Sequence, residues 1–324
     1  MYTKEEISAR LNEYISSLEF PAEPERLYAP IAYSLEGGGK RLRPMVTLMA
    51  GNIFSGDLGK VLLCAGAIEM FHTFTLLHDD IMDNANMRRG RPTVHKKWNE
   101  NVAILSGDAM VISAYKLLQQ APPELLPGIM HEFNKMAIEV CEGQQYDIDF
   151  EGRDDVTLDE YMDMIRLKTA VLFAGAAKIG AMAAGAGERD CEGLYNFGLE
   201  LGLAFQLQDD YLDTYGTEET LGKRIGGDIE EGKKTFLTVN ALREAGDATR
   251  RAMLATFRDS THPLAQRISR IRTIYNSLDI PDITLTAIES HLRAASAALD
   301  TLSVDSIKTE PLKGLIYTLR NRNK

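Results

Sequence analysis

The chain has 324 residues, 44% apolar and 26% charged, with 47 Asp and Glu against 36 Lys and Arg for a formal charge of −11. This is a globular composition, long enough to bury a full core and far from the disordered regime. The acidic balance excludes non-specific nucleic-acid binding, whose affinity comes from cationic side chains displacing counterions from phosphates, and taken alone it argues against anionic ligands. The three cysteines, at 64, 141 and 191, are too few and too widely spaced for a disulfide framework or a zinc motif, so a reducing, cytoplasmic compartment is expected.

Apolar residues recur at spacings of three and four through most of the chain, while alternating, strand-like segments are scarce. This periodicity predicts helices over residues 4–19, 41–54, 58–85, 96–118, 124–150, 157–184, 189–215, 232–246, 248–258, 284–300 and 304–321. The breaks fall on turn chemistry at Gly37-Gly38-Gly39, Arg89-Gly90-Arg91-Pro92, Ala121-Pro122-Pro123 and Gly226-Gly227-Asp228. No Pro- or Ser-rich linker and no solenoid-type repeat interrupts the series, so one all-α domain over residues 1–324 is expected. The N-terminal MYTKEEISAR lacks the apolar core of a signal peptide. The nearest approach to a membrane span, Val171 to Gly187, is Ala- and Gly-rich and interrupted by Lys178, so no transmembrane segment is expected.

Two segments repeat one pattern: Leu76-Leu77-His78-Asp79-Asp80-Ile81-Met82-Asp83 and Phe205-Gln206-Leu207-Gln208-Asp209-Asp210-Tyr211-Leu212-Asp213. On a helix, residues four apart share a face, so Asp79 pairs with Asp83 and Asp209 with Asp213. Like charges at that spacing destabilise a helix unless a cation neutralises them. Oxygen-only ligands select hard ions, and magnesium binds typically through one or two carboxylates plus substrate phosphates and water. A single such motif is more often a solvated acidic helix end; two copies, each preceded by an apolar run, favour a metal. A di-iron bundle needs a Glu-x-x-His motif on each of two helices, and only Glu69-Met70-Phe71-His72 supplies one.

Positive charge is gathered beside glycines in Gly38-Gly39-Lys40-Arg41-Leu42-Arg43-Pro44, in Arg88-Arg89-Gly90-Arg91-Pro92, and in Lys223-Arg224 through Lys233-Lys234. Guanidinium forks and ammonium groups bind phosphate oxygens directly, and glycine lets the backbone approach. Each cluster alone reads as a solvated loop. Beside metal-type aspartates, they read as a diphosphate site.

These motifs, in this order and spacing, resemble the trans-isoprenyl diphosphate synthases, of the short-chain geranylgeranyl or farnesyl type. The resemblance runs from GGKRLRP through DDIMD with its RRGRPTVH sequel, Lys168-Thr169, FQLQDD with YLD, and LGKRIGGD to GKKT. It implies an antiparallel helix bundle around a deep central cavity, a homodimer, and three magnesium ions. Asp79, Asp83 and Asp209 look like metal ligands, with Asp80, Asp210 and Asp213 as direct or water-mediated partners. Lys40, Arg43, His72 and Arg89 resemble the clamp for isopentenyl diphosphate, and Arg88, Lys168, Lys223 and Lys233 the groups holding an allylic diphosphate (dimethylallyl, geranyl or farnesyl). The implied reaction ionises the allylic carbon–oxygen bond, and the isopentenyl double bond attacks the resulting cation. Thr169 and Gln206 resemble positions whose oxygen dipoles face that cation.

Product length is expected to be set by residues one to two turns before Asp79, namely Phe71, Phe74 and Thr75. Phe74 occupies the position where small residues accompany long products; Thr75 is not aromatic, and the first motif lacks the two-residue insertion common in bacterial farnesyl enzymes. Geranylgeranyl diphosphate is therefore the expected product, with farnesyl diphosphate the near alternative. A class I terpene cyclase, carrying one DDxxD and a second motif of Asn, Ser and Glu, fits less well, as does a non-catalytic subunit that has lost aspartates. The basic terminus from Arg320 to Lys324 is either a lid over the diphosphates or a solvated tail.

Overall fold

A computed structural model describes residues 1–217 and 225–322. Its residues group into two compact units: Met1–Ala137 with Gly175–Tyr195 and Leu299–Lys313, and Ile138–Ala174 with Asn196–Ala298 and Gly314–Lys324. The architecture is all-α among the described residues apart from one two-stranded hairpin.

In the first unit, α1 (Lys4–Ser16) opens on a capping box in which Thr3 and Glu6 satisfy each other's backbone N–H groups. Helix α2 (Glu25–Glu36) is absent from the sequence expectation because Pro24 precedes it and Pro30 lies within it. Its apolar positions Leu27, Ile31 and Leu35 nonetheless keep a four-residue spacing, and Ser106 donates to the Leu27 carbonyl at 2.9 Å. Helices α3 (Leu42–Phe54) and α4 (Gly59–Met82) form the centre, with α3 buried continuously from Pro44 to Ile53. A four-residue helix, α5 (Val94–Lys97), precedes α6 (Glu100–Leu118), which packs along α4. Of the described helices, Gly59–Met82 and Glu100–Leu118 are long and apolar enough to cross a membrane, rather than the stretch from Val171. Helix α4 uses its apolar residues as core, burying Val61, Cys64, Ile68, Met70 and Phe71.

Between α4 and α5 lie β1 (Met87–Arg88) and β2 (Arg91–Pro92), antiparallel with Arg88 opposite Arg91. Arg89 and Gly90 both have positive φ, 52° and 74°, as a two-residue type I′ hairpin requires. The sequence marks this turn, but strands so short carry no readable alternation.

Helix α7 (Leu126–Glu151) contributes to both units. In the second unit, α8 (Leu158–Ile165) begins on a Thr157–Glu160 capping box. The single helix expected over 157–184 is interrupted: Arg166–Ala170 winds as a π turn before α9 (Val171–Ala183) resumes. Helix α10 (Glu188–Tyr215) follows. Helices Phe236–Glu244, Asp247–Phe257 and Leu264–Ser277 then pack on a core of Ile229, Leu237, Met253, Ile271, Tyr275 and Ile280. The Leu264–Ser277 helix escapes sequence analysis because it is rich in arginine. One of these, the buried Arg267, donates to the carbonyls of Ile229, Thr256 and Phe257 at 2.9, 3.1 and 2.7 Å, capping two helix ends.

Candidate functional site

The last turn of α4 carries Asp79 and Asp80, and Asp83 stands at its C-cap, so Asp79 and Asp83 share a face. Asp80 is buried and accepts from Arg88 Nε at 2.7 Å. Burial pushes its carboxyl above the ordinary range, and the Arg88 guanidinium works against that. The hairpin thus ties Arg88 to the first aspartate motif. Arg89, in the turn, donates to the Gly38 carbonyl. Gly39 has φ +126°, and a Cβ there would meet the Arg89 guanidinium carbon at 2.5 Å, so the glycine run is a seat for this arginine. Asp80, Arg88 and Arg89 line one cavity with Thr73, Leu76 and Leu77.

Beneath that seat, Arg43 Nη1 lies 3.1 Å from His72 Nε2. Guanidinium can only donate, so Nε2 is the acceptor and the histidine proton sits on Nδ1. Burial, followed by the Arg43 charge, holds His72 well below its ordinary value, and the ring is neutral at pH 7. Its Nδ1 has no hydrogen-bond partner among the described residues. Glu69, one turn earlier, is 4% exposed and 4.0 Å from Arg41 Nε. Burial raises its carboxyl, while Arg41, Arg89 and Arg43 pull it down. Arg41, at φ 44°, also donates to Asn12 at 2.6 Å and to the Leu35 carbonyl at 3.1 Å, fixing the start of α3. Lys40 is exposed immediately before it.

On another face of α4, Phe71 stacks obliquely on Phe74 (centroids 5.5 Å apart) and edge-on to Phe133 (5.5 Å), while Phe74 meets His78 at 4.7 Å. Thr75 turns its hydroxyl back to the His72 carbonyl at 2.8 Å. Phe71 and Phe74 are therefore a contiguous aromatic wall, and Thr75 is occupied with its own helix.

In the second unit the π turn presents Lys168 and Thr169. Helix α7 passes so close that a Cβ at Gly143 would lie 2.1 Å from Lys168 N. Lys168 Nζ pairs with Asp147 at 2.6 Å. Thr169 Oγ1 donates to Gln206 Oε1 at 2.8 Å, and Gln206 Nε2 donates to Asp210 Oδ1 at 2.9 Å. Asp210 Oδ2 accepts from the Tyr161 hydroxyl and, at 2.9 Å, from the Phe236 N–H. Burial and the nearby Asp228 carboxylate push Asp210 up to about 7, against the lowering effect of these three donors. Asp209 accepts from Arg322 Nη1 at 2.6 Å, and Asp213 from the Asp228 N–H at 3.2 Å. Lys233 pairs with Glu231 at 3.0 Å. Lys223 and Arg224 lie outside the described residues. At the terminus, Arg320 forms a two-pronged contact with Glu289 and Arg322 reaches Asp209; Asn323 and Lys324 are outside the described residues.

Arg43 with His72, Arg88 with Asp80, and Thr169 with Gln206 and Asp210 are thus joined directly, whereas Lys168 joins a carboxylate outside both motifs. Among the described residues no group of three His, Cys, Asp or Glu side chains gathers as a candidate ion site. The donor chemistry still fits magnesium: each motif offers hard carboxylate oxygens and leaves coordination places for phosphate and water. Asp80 and Asp210 are buried and accept from protein donors, and Asp209 and Asp213 accept from Arg322 and the Asp228 N–H.

Sequence reasoning missed Asp147 and Tyr161 and gave Glu69 no role beside the arginines, while Arg322 falls in the basic terminus it read as a lid or a solvated tail. Glu69 carries a signal, being an acid inside the apolar run of α4. Asp147 and Tyr161 pair across long sequence separations and have none.

Residues 24–276 match the family model described as polyprenyl synthetase. A geranylgeranyl diphosphate synthase from Methanosarcina mazei is 38% identical over 297 residues, covering 91% of this chain and 90% of the relative. A geranylfarnesyl diphosphate synthase from Natronomonas pharaonis is 41% identical over 255 residues, 73% of this chain and 75% of the relative. A crystal structure of a geranylgeranyl pyrophosphate synthase superposes with a TM-score of 0.94 at 40% identity, covering 100% of both chains.

Proposed function

The chain belongs to the polyprenyl synthetase family, with its all-α isoprenoid synthase fold, and on that premise we propose that it condenses isopentenyl diphosphate with an allylic diphosphate to make geranylgeranyl diphosphate. It is a prenyltransferase of the short-chain, all-trans type. The observation carrying the product assignment is the Phe71–Phe74 wall backed by Phe133, a bulky stop within two turns of the first aspartate motif.

Arg43, Arg89, Lys40 and the Nδ1–H of neutral His72 bind the isopentenyl diphosphate, with the buried Glu69 carboxyl, 4.0 Å from Arg41, as counter-charge to the nearby arginines. Arg88, Lys168, Lys233 and the undescribed Lys223 bind the allylic diphosphate. Asp79 and Asp83, and likewise Asp209 and Asp213, would hold magnesium, three ions in all, which would supply neutralisation of the charge on the departing diphosphate. Thr169 and Gln206 direct oxygen dipoles toward the allylic carbon, and apolar walls exclude water from it. The diphosphate that leaves is itself the acceptor for the proton lost in condensation, so no side-chain base is required.

Leu105 and Ile112, 60% and 63% exposed and seven residues apart on α6, support a homodimer, which sedimentation of the pure protein tests. Three unbridged cysteines support a reducing, cytoplasmic setting. The reading is tested by incubating the protein with magnesium, isopentenyl diphosphate and each allylic primer, then separating the dephosphorylated prenols. A twenty-carbon alcohol is expected; a product no longer than fifteen carbons from every primer rejects the length assignment.

A further inference from the structure

We propose that Tyr161 is a positioning residue for Gln206 and Thr169, acting through the Asp210 carboxylate; the inference rests on the prenyltransferase reading above. Tyr161 lies on α8, is 1% exposed, and spends its only polar atom on Asp210 Oδ2. The same oxygen accepts the Phe236 N–H that opens the Phe236–Glu244 helix, so Asp210 is fixed from two elements besides its own. Its other oxygen accepts from Gln206 Nε2 at 2.9 Å.

The amide nitrogen of Gln206 faces Asp210 Oδ1 at 2.9 Å and its Oε1 faces away, where Thr169 Oγ1 donates to it at 2.8 Å. A glutamine amide is ordinarily ambiguous in this respect; here it is held on both sides, by Asp210 and by Thr169. With its proton committed to Gln206, the Thr169 hydroxyl can offer any further partner only lone pairs. The relay Tyr161, Asp210, Gln206, Thr169 thus sets the direction of two oxygen dipoles assigned to the allylic carbon. It does not run through the ammonium group of Lys168, which is bonded to Asp147. Loosening the relay acts on the chemical step and spares diphosphate affinity.

The test is a double-mutant cycle in steady-state kinetics with Tyr161→Phe, Gln206→Ala and the double variant. Tyr161→Phe keeps the ring against Phe236, at 6.0 Å between centroids, and removes only the donor. It is expected to lower kcat roughly tenfold with both KM values within about twofold. In the Gln206→Ala background the same substitution is expected to change kcat less than about twofold, because the residue it positions is gone. Unchanged kcat, a raised KM with normal kcat, or independent multiplying effects would each overturn the proposal. If Tyr161→Phe does not fold, Asp210→Asn replaces it: an asparagine amide can donate to Gln206 Oε1 and turn the amide round. The same fall in kcat at constant KM is then expected, and wild-type kinetics would overturn the relay. Absence of condensation by the wild type overturns the prenyltransferase reading and this inference with it; normal wild-type turnover with an indifferent Tyr161→Phe overturns the inference alone.

Discussion

Replacing Phe74 with alanine is expected to lengthen the main product by one five-carbon unit. Phe74 lies five residues before Asp79 and Phe71 eight, about 7.5 and 12 Å of helix rise respectively. The difference, about 4.5 Å, matches the roughly 5 Å of an extended isoprene unit of four carbon–carbon bonds. Without the ring at 74, the growing chain runs on until it meets Phe71, which is 2% exposed and braced by Phe133 at 5.5 Å. Phe74 is only half-buried, so its loss costs about 2 kcal/mol, less than the 3–5 kcal/mol of a fully buried ring, and the fold survives. The assay is chromatography of dephosphorylated products made from a farnesyl primer. Phe71→Ala alone is expected to leave the length unchanged, and the double variant to extend it further than Phe74→Ala. An unaltered product from correctly folded Phe74→Ala refutes the idea that the chain descends along this face of α4.

Gly39→Ala places a Cβ 2.5 Å from the Arg89 guanidinium carbon at a φ of +126°; the KM for isopentenyl diphosphate is expected to rise about tenfold with little change in melting temperature, and an unchanged KM contradicts the seat assigned to Arg89. His72, held neutral by burial, refuses a proton that the unfolded chain accepts below about 6.5, so its contribution to stability is complete above that pH and declines as pH falls. The melting temperature of the wild type minus that of His72→Gln is therefore expected to fall on acidification from about pH 6.5 to 5; a rise would mean that the ring is charged in the fold. Arg322 sits 2.6 Å from Asp209, and a partly buried pair of this kind is worth on the order of 1 kcal/mol. Arg322→Ala is expected to lower the magnesium concentration for half-maximal rate roughly fivefold; an unchanged or higher requirement shows that the contact does not compete with a cation.

The all-α class was legible because a 3.6-residue apolar period survives in sequence even where helix ends do not. What escaped did so for physical reasons. The α2 helix is disguised by Pro30, and the Leu264–Ser277 helix by arginines, one of which works at the ends of other helices. The π turn at Arg166–Ala170 has no sequence signature, since it reflects the close passage of α7 at Gly143. In the candidate site, residue types and spacing identified both aspartate motifs and the basic clusters. They did not distinguish an aspartate that can face a ligand from one committed to the fold. Asp210 looks equivalent to Asp209 in the chain, yet it is buried among three protein donors, and the partner that marks it, Tyr161, is 49 residues away.

The central claim is condensation, and the stoichiometry of a single reaction tests it most directly. With labelled isopentenyl diphosphate, an allylic primer and magnesium, one diphosphate should be released for every isopentenyl unit incorporated into an acid-labile prenyl diphosphate, and neither should occur when magnesium is chelated. Diphosphate release without incorporation of label would contradict the account, because it is the signature of an enzyme that ionises the allylic substrate and does not join it to a second one.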